Sequence, residues 1–201
     1  MMELYLNATS PYARVVRIAA LEKGLETAIT LQWCDPWSDD PRLLAVNPAA
    51  RVPALVTDEG HTLSESLLIV HHLDAVGPGP DLVPQAGRSE TLQQTGWGQG
   101  LMEAAFQTVI ARKHQGAAAD ESVLGQRRLR AIDRTLAALA DHGMDQPGTN
   151  TVTLGGIVVA VALDYLLFRL PEVAWQDRHP ALARWHDEMS NRSSFLRTRF
   201  P

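Results

Sequence analysis

The sequence predicts a two-domain chain, an α/β N-terminal half followed by an all-α C-terminal half. Three observations carry this reading. From residue 1 to residue 77, short alternating apolar runs and helical stripes succeed one another in the order β-α-β-α-β-β-α. The tetrapeptide Gly77-Pro78-Gly79-Pro80 sustains neither helix nor strand, so it marks a boundary. Beyond it every apolar period is helical, with no strand signal of comparable quality. The expected layout is a first domain over 1–77, a linker over 78–87 and a helical domain over 88–201, and 201 residues suffice for a core in either half.

Leu4 and Leu6 flank Tyr5 in a strand that leads directly into Ser10-Pro11, a cap-forming serine followed by proline at the first helical position. The helix so begun carries Val15, Ile18 and Ala19 on one stripe and stops at Lys23-Gly24. Ile29, Leu31 and Trp33 alternate as a second strand. Asp40-Pro41 restarts a short helix through Leu44. Ala54–Thr57 and His61–Leu63 form a hairpin around Asp58-Glu59-Gly60, and Ile69, Leu73 and Val76 make the closing helix amphipathic. This element order resembles a thioredoxin-like half.

In the C-terminal half, helices are expected over Leu92 to about Lys113, Glu121 to Ala140, Ile157 to Leu170 and Pro180 to Met189. Gly96, Gly98 and Gly100 lie inside the first, each at a cost of up to ~1 kcal/mol relative to alanine. Close helix packing, at a dimer interface for example, or a local break would account for them.

The segment Asn47-Pro48-Ala49-Ala50-Arg51-Val52-Pro53-Ala54-Leu55 joins a loop to a strand through an X-Pro bond. The tertiary amide of such a bond lowers the cost of a cis peptide to roughly 0.5–1 kcal/mol. A turned-back bond leaves the Val52 N–H and C=O at the strand end, where they can pair with an extended peptide ligand. A carboxylate and a hydroxyl, Glu65 and Ser66, then stand at the start of the next helix.

These motifs resemble the glutathione S-transferase family, and the resemblance runs over nearly the whole chain. Thr9-Ser10-Pro11-Tyr12-Ala13-Arg14-Val15 is similar to the family's Ser-Pro-Phe/Tyr-x-x-(Arg/Lys)-Val. The Asn47 to Leu55 segment is similar to Asn-Pro-x-Gly-Lys-Val-Pro-x-Leu, with Ala50 for Gly and Arg51 for Lys. Arg192-Ser193-Ser194-Phe195 resembles Arg-Pro-Ser-Phe. The resemblance implies the glutathione transferase fold, a homodimer, and glutathione as co-substrate attacking a small hydrophobic electrophile, a detoxification chemistry.

It also implies a set of site residues. Glu65 takes the γ-glutamyl ammonium, Ser66 its carboxylate, Val52 and Pro53 the cysteinyl backbone, and Arg51 the glycyl carboxylate. Ser10 is the hydroxyl expected to act on the sulfur, with Thr9 its nearest rival and Asn7 a weaker one. Glutathione's free thiol titrates near 8.5, so a donor to sulfur at a helix N-terminus raises the thiolate fraction at neutral pH. As a plain structural residue Ser10 caps the helix, Ser66 does the same for its own helix, and Glu65 answers the helix dipole.

Two departures stand out. The family opens its buried central helix with Ser/Thr-x-x-Asp, whereas Thr153-Leu154-Gly155-Gly156 puts glycine in place of aspartate, removing half of a capping box and implying lower stability or an altered second domain. The catalytic segment holds no cysteine, which disfavours members that form mixed disulfides with glutathione.

The remaining composition excludes other classes. A net charge of −5 is no footprint for nucleic acid. Cys34 is the only cysteine, so no disulfide framework exists and a reducing, cytoplasmic setting is expected. No leader precedes the first strand, and the apolar run Ile157–Phe168 falls short of the ~20 residues a membrane span needs. His71-His72 point to different helix faces, and His179 and His186 lack ligand spacing, so no metal is expected. Trp97, Leu101 and Phe106 are generic apolar lining that names no electrophile. The competing function is a non-enzymatic interaction or regulatory protein on the same fold.

Overall fold

The computed structural model describes residues 1–144 and 152–201. The described chain divides into two compact units, Met1–Leu82 with Ser193–Pro201, and Val83–Arg192.

The first unit is built on a four-stranded sheet of order β2-β1-β3-β4. Strands β1 (Met2–Leu6) and β2 (Ile29–Trp33) are parallel, with Leu4 opposite Leu31. Strands β3 (Ala54–Val56) and β4 (Thr62–Ser64) form the expected hairpin, and β3 runs antiparallel to β1 with Leu55 opposite Leu4. Leu4, Leu6 and Leu55 are fully buried, which fixes this register, because a one-residue slip would turn them all to the other face.

Helix α1 (Pro11–Glu22) starts as its sequence signals require: the Ser10 Oγ accepts from the Ala13 N–H at 3.1 Å and Pro11 occupies the first turn. Its stripe of Val15, Ile18 and Ala19 is buried. The short α2 (Pro41–Val46) is capped by Asp40, and α3 (Ser66–Val76) closes the unit. Ile69 and Leu73 are buried on α3, but Val76, expected on the same stripe, ends the helix 51% exposed. Val70 takes its place in the core.

The Gly-Pro boundary is not a free spacer. Lys23, read from sequence as a basic residue of a helix end, is 1% exposed and donates to the carbonyls of Gly79 (2.7 Å) and Pro80 (3.0 Å) and to the Asp74 carboxylate (3.0 Å). Asp74 also accepts from the Leu82 N–H at 2.9 Å. A Cβ on Gly77 would stand 2.6 Å from that of Lys23, and one on Gly79 would stand 2.8 Å from its Cα, so both glycines are needed for the strap to lie so close. The first unit therefore runs past the expected end at residue 77, through Leu82.

The last nine residues also belong here rather than to the helical half. Phe195, on the short α9 (Ser193–Leu196), is fully buried, Ser194 donates to Glu22, Arg197 pairs with Glu26, and the Arg14 guanidinium lies 4.7 Å from the Phe200 ring.

The second unit contains α4 (Arg88–Gln115), α5 (Val123–His142), α6 (Leu154–Arg169), the short α7 (Trp175–Arg178) and α8 (Pro180–Ser190). Helix α6 is apolar apart from Asp164 and the terminal Arg169 and is buried over most of its length, as a central core helix must be. Helix α4 is unbroken through its three glycines. A Cβ on Gly98 would meet the Val159 backbone at 2.8 Å, and one on Gly155 would meet Gln94 at 2.8 Å, so these two let α4 and α6 approach. Gly96 and Gly100 have nothing within 4 Å of that position.

At the α6 start, glycine stands where the family pattern has aspartate. The Thr153 Oγ1 accepts from the Gly156 N–H at 3.2 Å, so one arm of the capping box is intact and the helix forms from Leu154. His186, buried on α8, finds a partner the sequence did not announce, the Asp164 carboxylate of α6 at 2.7 Å. Among the described residues, no group of three or more His, Cys, Asp or Glu is placed to hold a metal, and no single helix is long and apolar enough to cross a membrane.

Candidate functional site

The loop between α2 and β3 is shaped from Asn47. Its buried side chain donates from Nδ2 to the Arg51 carbonyl at 2.8 Å and accepts at Oδ1 from the Ala49 N–H at 3.1 Å. This is the local turn chemistry for which asparagine is suited. Ala50 takes φ +51° inside the turn, where the family pattern has glycine. The Val52-Pro53 bond that follows is cis, and Ala54 is the first residue paired in β3.

Across from this loop, β4 turns into α3 at Glu65, whose φ of +67° and ψ of 118° fall where a side chain is sterically disfavoured. Glu65 occupies the cap position and gives the helix no side-chain hydrogen bond. Ser66 is therefore not the cap that its type suggests. It is the first helical residue, 4% exposed, at a helix end whose leading N–H groups have no cap side chain to satisfy them.

A shallow cleft of about 20 Å³ gathers these pieces: Arg51, Val52 and Pro53 from the loop, and Glu65 and Ser66 from the start of α3. Tyr12 of α1 and Asn47 complete its wall. The Arg51 guanidinium stands 3.3 Å from the Glu65 carboxylate, with both side chains more than half exposed. All five residues expected to hold the ligand thus meet in one place. Ser10 and Thr9 lie outside the cleft wall, at the start of α1 two and three residues before Tyr12.

Ser10 caps α1, and its own N–H donates to the Asn7 carboxamide oxygen at 2.8 Å. Asn7 thus closes the turn that aims the hydroxyl. A hydroxyl has one proton and two acceptor positions, so capping through Oγ leaves that proton able to donate elsewhere. Cys34 stands at the end of β2, half-buried, with Sγ 3.7 Å from the Leu6 carbonyl. Burial, followed by the nearby Asp40 carboxylate, pushes its thiol pKa up.

Sequence reasoning missed Tyr12 and Asn47 as walls of the cleft. Asn47 had a usable signal, an asparagine opening a turn four residues before the Arg51 carbonyl it ties down. Tyr12 had none beyond its motif, because which side of α1 meets the loop is decided by packing.

A mixed sheet whose third strand is entered through a cis proline, joined to an all-helical unit around a buried apolar helix, defines the two-domain glutathione transferase fold. The chain belongs to the glutathione S-transferase family. Residues 9–76 match the family's N-terminal domain and residues 115–188 its C-terminal domain. The chain is 31% identical over 207 residues to the uncharacterized GST-like protein YibF of Escherichia coli K12, covering 100% of this chain and 99% of that one. A glutathione transferase family member from Pseudomonas fluorescens Pf-5, solved with bound glutathione, superposes with a TM-score of 0.86 at 30% identity over all of both chains. A Methylobacterium radiotolerans glutathione S-transferase in complex with glutathione sulfonate gives 0.87 at 32% identity, covering 100% of this chain and 94% of that one.

Proposed function

We propose that this protein is a glutathione transferase that joins the glutathione thiolate to a small apolar electrophile. The observation that carries the reading is the convergence of the Val52 backbone, the Glu65 carboxylate and Ser66 at the uncapped start of α3. Glutathione presents an extended backbone and a γ-glutamyl end bearing an ammonium and a carboxylate together. The carboxylate docks on Ser66, where the hydroxyl, the N–H and the positive end of the helix dipole all favour an anion. The ammonium takes Glu65, and Arg51 exchanges that carboxylate for the glycyl one. Val52 pairs with the cysteinyl backbone as an added strand would.

Ser10 donates its proton in a hydrogen bond to sulfur while its oxygen continues to cap α1, and the thiolate is favoured over the thiol. In the transfer, the sulfur lone pair forms the new C–S bond as the bond to the leaving group breaks, and for an aryl halide the halide leaves with that electron pair. The relatives found with glutathione and glutathione sulfonate bound support this reading. It carries with it a homodimer in a reducing cytoplasm, and Leu68, 63% exposed on α3, offers apolar surface to a second copy.

The test is retention on immobilised glutathione followed by turnover with a panel of aryl halides and epoxides. Retention with turnover is expected. Retention without turnover on any electrophile would put the non-enzymatic interaction protein in its place, and no retention would remove the glutathione site itself.

A further inference from the structure

We propose that the first unit carries a second ligand site, for a single-ring aromatic carboxylate, in the cleft bounded by α1, β2 and the C-terminal tail. The cleft holds about 110 Å³, several times the volume at the start of α3. Its apolar surface comes from Leu4, Ala20, Ile29 and Leu31. It stays open because β2 is an edge strand, paired only with β1. Leu31 is left 38% exposed and Trp33 47% exposed.

The charged part of the wall selects an anion. Two guanidiniums, Arg17 and Arg197, face one carboxylate, Glu26, and Arg197 is already paired with it. Among the described residues, Arg17 donates a long hydrogen bond, 3.4 Å, to the Arg197 carbonyl and rests 5.3 Å from the Trp33 ring. Burial lowers its pKa first, and the neighbouring Arg14 and Arg197 lower it further. A guanidinium that is partly desolvated and crowded by like charge gains from a carboxylate placed edge-on to its planar fork.

Size and shape narrow the class. A cavity of about 150 Å³ lined by aliphatic side chains holds benzene. The present cleft, somewhat smaller but open at its mouth, takes one ring against the aliphatic wall with its carboxylate turned to Arg17. Arg17 lies seven residues along α1 from Ser10, about 10 Å of helix, so the site is separate from the one proposed for glutathione and does not depend on it.

The probe is sodium benzoate, titrated into the full chain while the Trp33 indole N–H resonance is followed and assigned by its loss in Trp33→Phe. A saturable shift is expected, with a dissociation constant on the order of 1 mM, ordinary for so small a ligand. Benzyl alcohol, which keeps the ring and lacks the charge, should bind at least about tenfold more weakly, and Arg17→Gln should weaken benzoate by at least about tenfold. Glu26→Gln, which releases Arg197, should tighten benzoate by about two- to fivefold. Saturating glutathione should leave the benzoate titration unchanged. Absence of a saturable shift, equal binding of benzoate and benzyl alcohol, an unaffected Arg17→Gln variant with a native-like melt, or displacement of benzoate by glutathione would each overturn the proposal.

Discussion

Replacing Glu65 separates the two things this residue does. Its backbone sits at φ +67° and ψ 118°, a conformation that costs a residue with a Cβ about 1–3 kcal/mol. Its carboxylate faces the cleft and the Arg51 guanidinium. Glu65→Ala keeps the backbone cost and removes the carboxylate, whereas Glu65→Gly removes both. Glycine gives back roughly 0.5–1 kcal/mol through the greater freedom of its unfolded chain. The glycine variant should therefore be more stable than the alanine variant by up to about 2.5 kcal/mol. Binding should not distinguish them. A charged hydrogen bond to the ligand ammonium contributes about 1.5–3 kcal/mol, and the exposed Arg51 pair given up by the wild type offsets about 0.2–1 of it. The net loss, about 0.5–2.8 kcal/mol, is a roughly 2- to 110-fold rise in dissociation constant for both variants. Urea denaturation measures the first quantity and calorimetric titration with glutathione the second. A glycine variant less stable than the alanine one would refute the strain argument, and unchanged affinity in both would refute the γ-glutamyl site.

Three further outcomes follow from the packing. Lys23→Met leaves the Asp74 carboxylate beside a strap that has lost its donor, and should cost about 3–5 kcal/mol in urea denaturation; a loss below about 1 kcal/mol would mean that packing alone holds the Gly-Pro segment. Gly98→Ala should destabilise the second unit because the new methyl meets the Val159 backbone, while Gly96→Ala and Gly100→Ala, with open space at that position, should each stabilise by up to ~1 kcal/mol. Thermal melts in which all three variants moved the same way would contradict the assigned α4 to α6 contact. Asn47→Ala strands the Arg51 carbonyl and the Ala49 N–H, and should lower stability by about 1–3 kcal/mol and weaken glutathione as the loop bearing Val52 relaxes; native affinity in that variant would show that the loop holds its shape without the side chain.

The parts legible in sequence are those whose signals are local. Ser10-Pro11 announces the start of α1 because cap and first-turn preferences reside in adjacent residues. The predominantly apolar α6 announces a buried helix because almost none of its surface is fit for water. The cleft residues were legible as a set through their motif, yet the reason Ser66 is free to serve a ligand lies in the backbone of Glu65, and no residue type encodes that φ. Lys23 was legible only as part of the helix stop, because its burial depends on two carbonyls of the returning Gly-Pro segment and the Asp74 carboxylate of α3 meeting around it. Gly96, Gly98 and Gly100 are indistinguishable in sequence, since which of them faces α6 depends on how the two helices cross. The tail beyond Arg192 was assigned to the helical half by continuity. Burial of Phe195 and the contacts of Ser194 with Glu22 and of Phe200 with Arg14 bring it to the first unit, a pairing across more than 170 positions that no local pattern carries.

The account turns on whether Ser10 acts on the sulfur of bound glutathione, and ultraviolet absorbance of the thiolate, followed against pH with glutathione saturating, measures it. The wild type should titrate well below the ordinary thiol value near 8.5, and Ser10→Ala should move back toward it. Thr9→Ala, run alongside, should leave the wild-type curve largely in place, whereas Asn7→Ala, which removes the acceptor that closes the Ser10 turn, should shift it part of the way toward Ser10→Ala. Coincident titration of the wild type and Ser10→Ala would contradict the account and leave Ser10 as the cap of α1 alone.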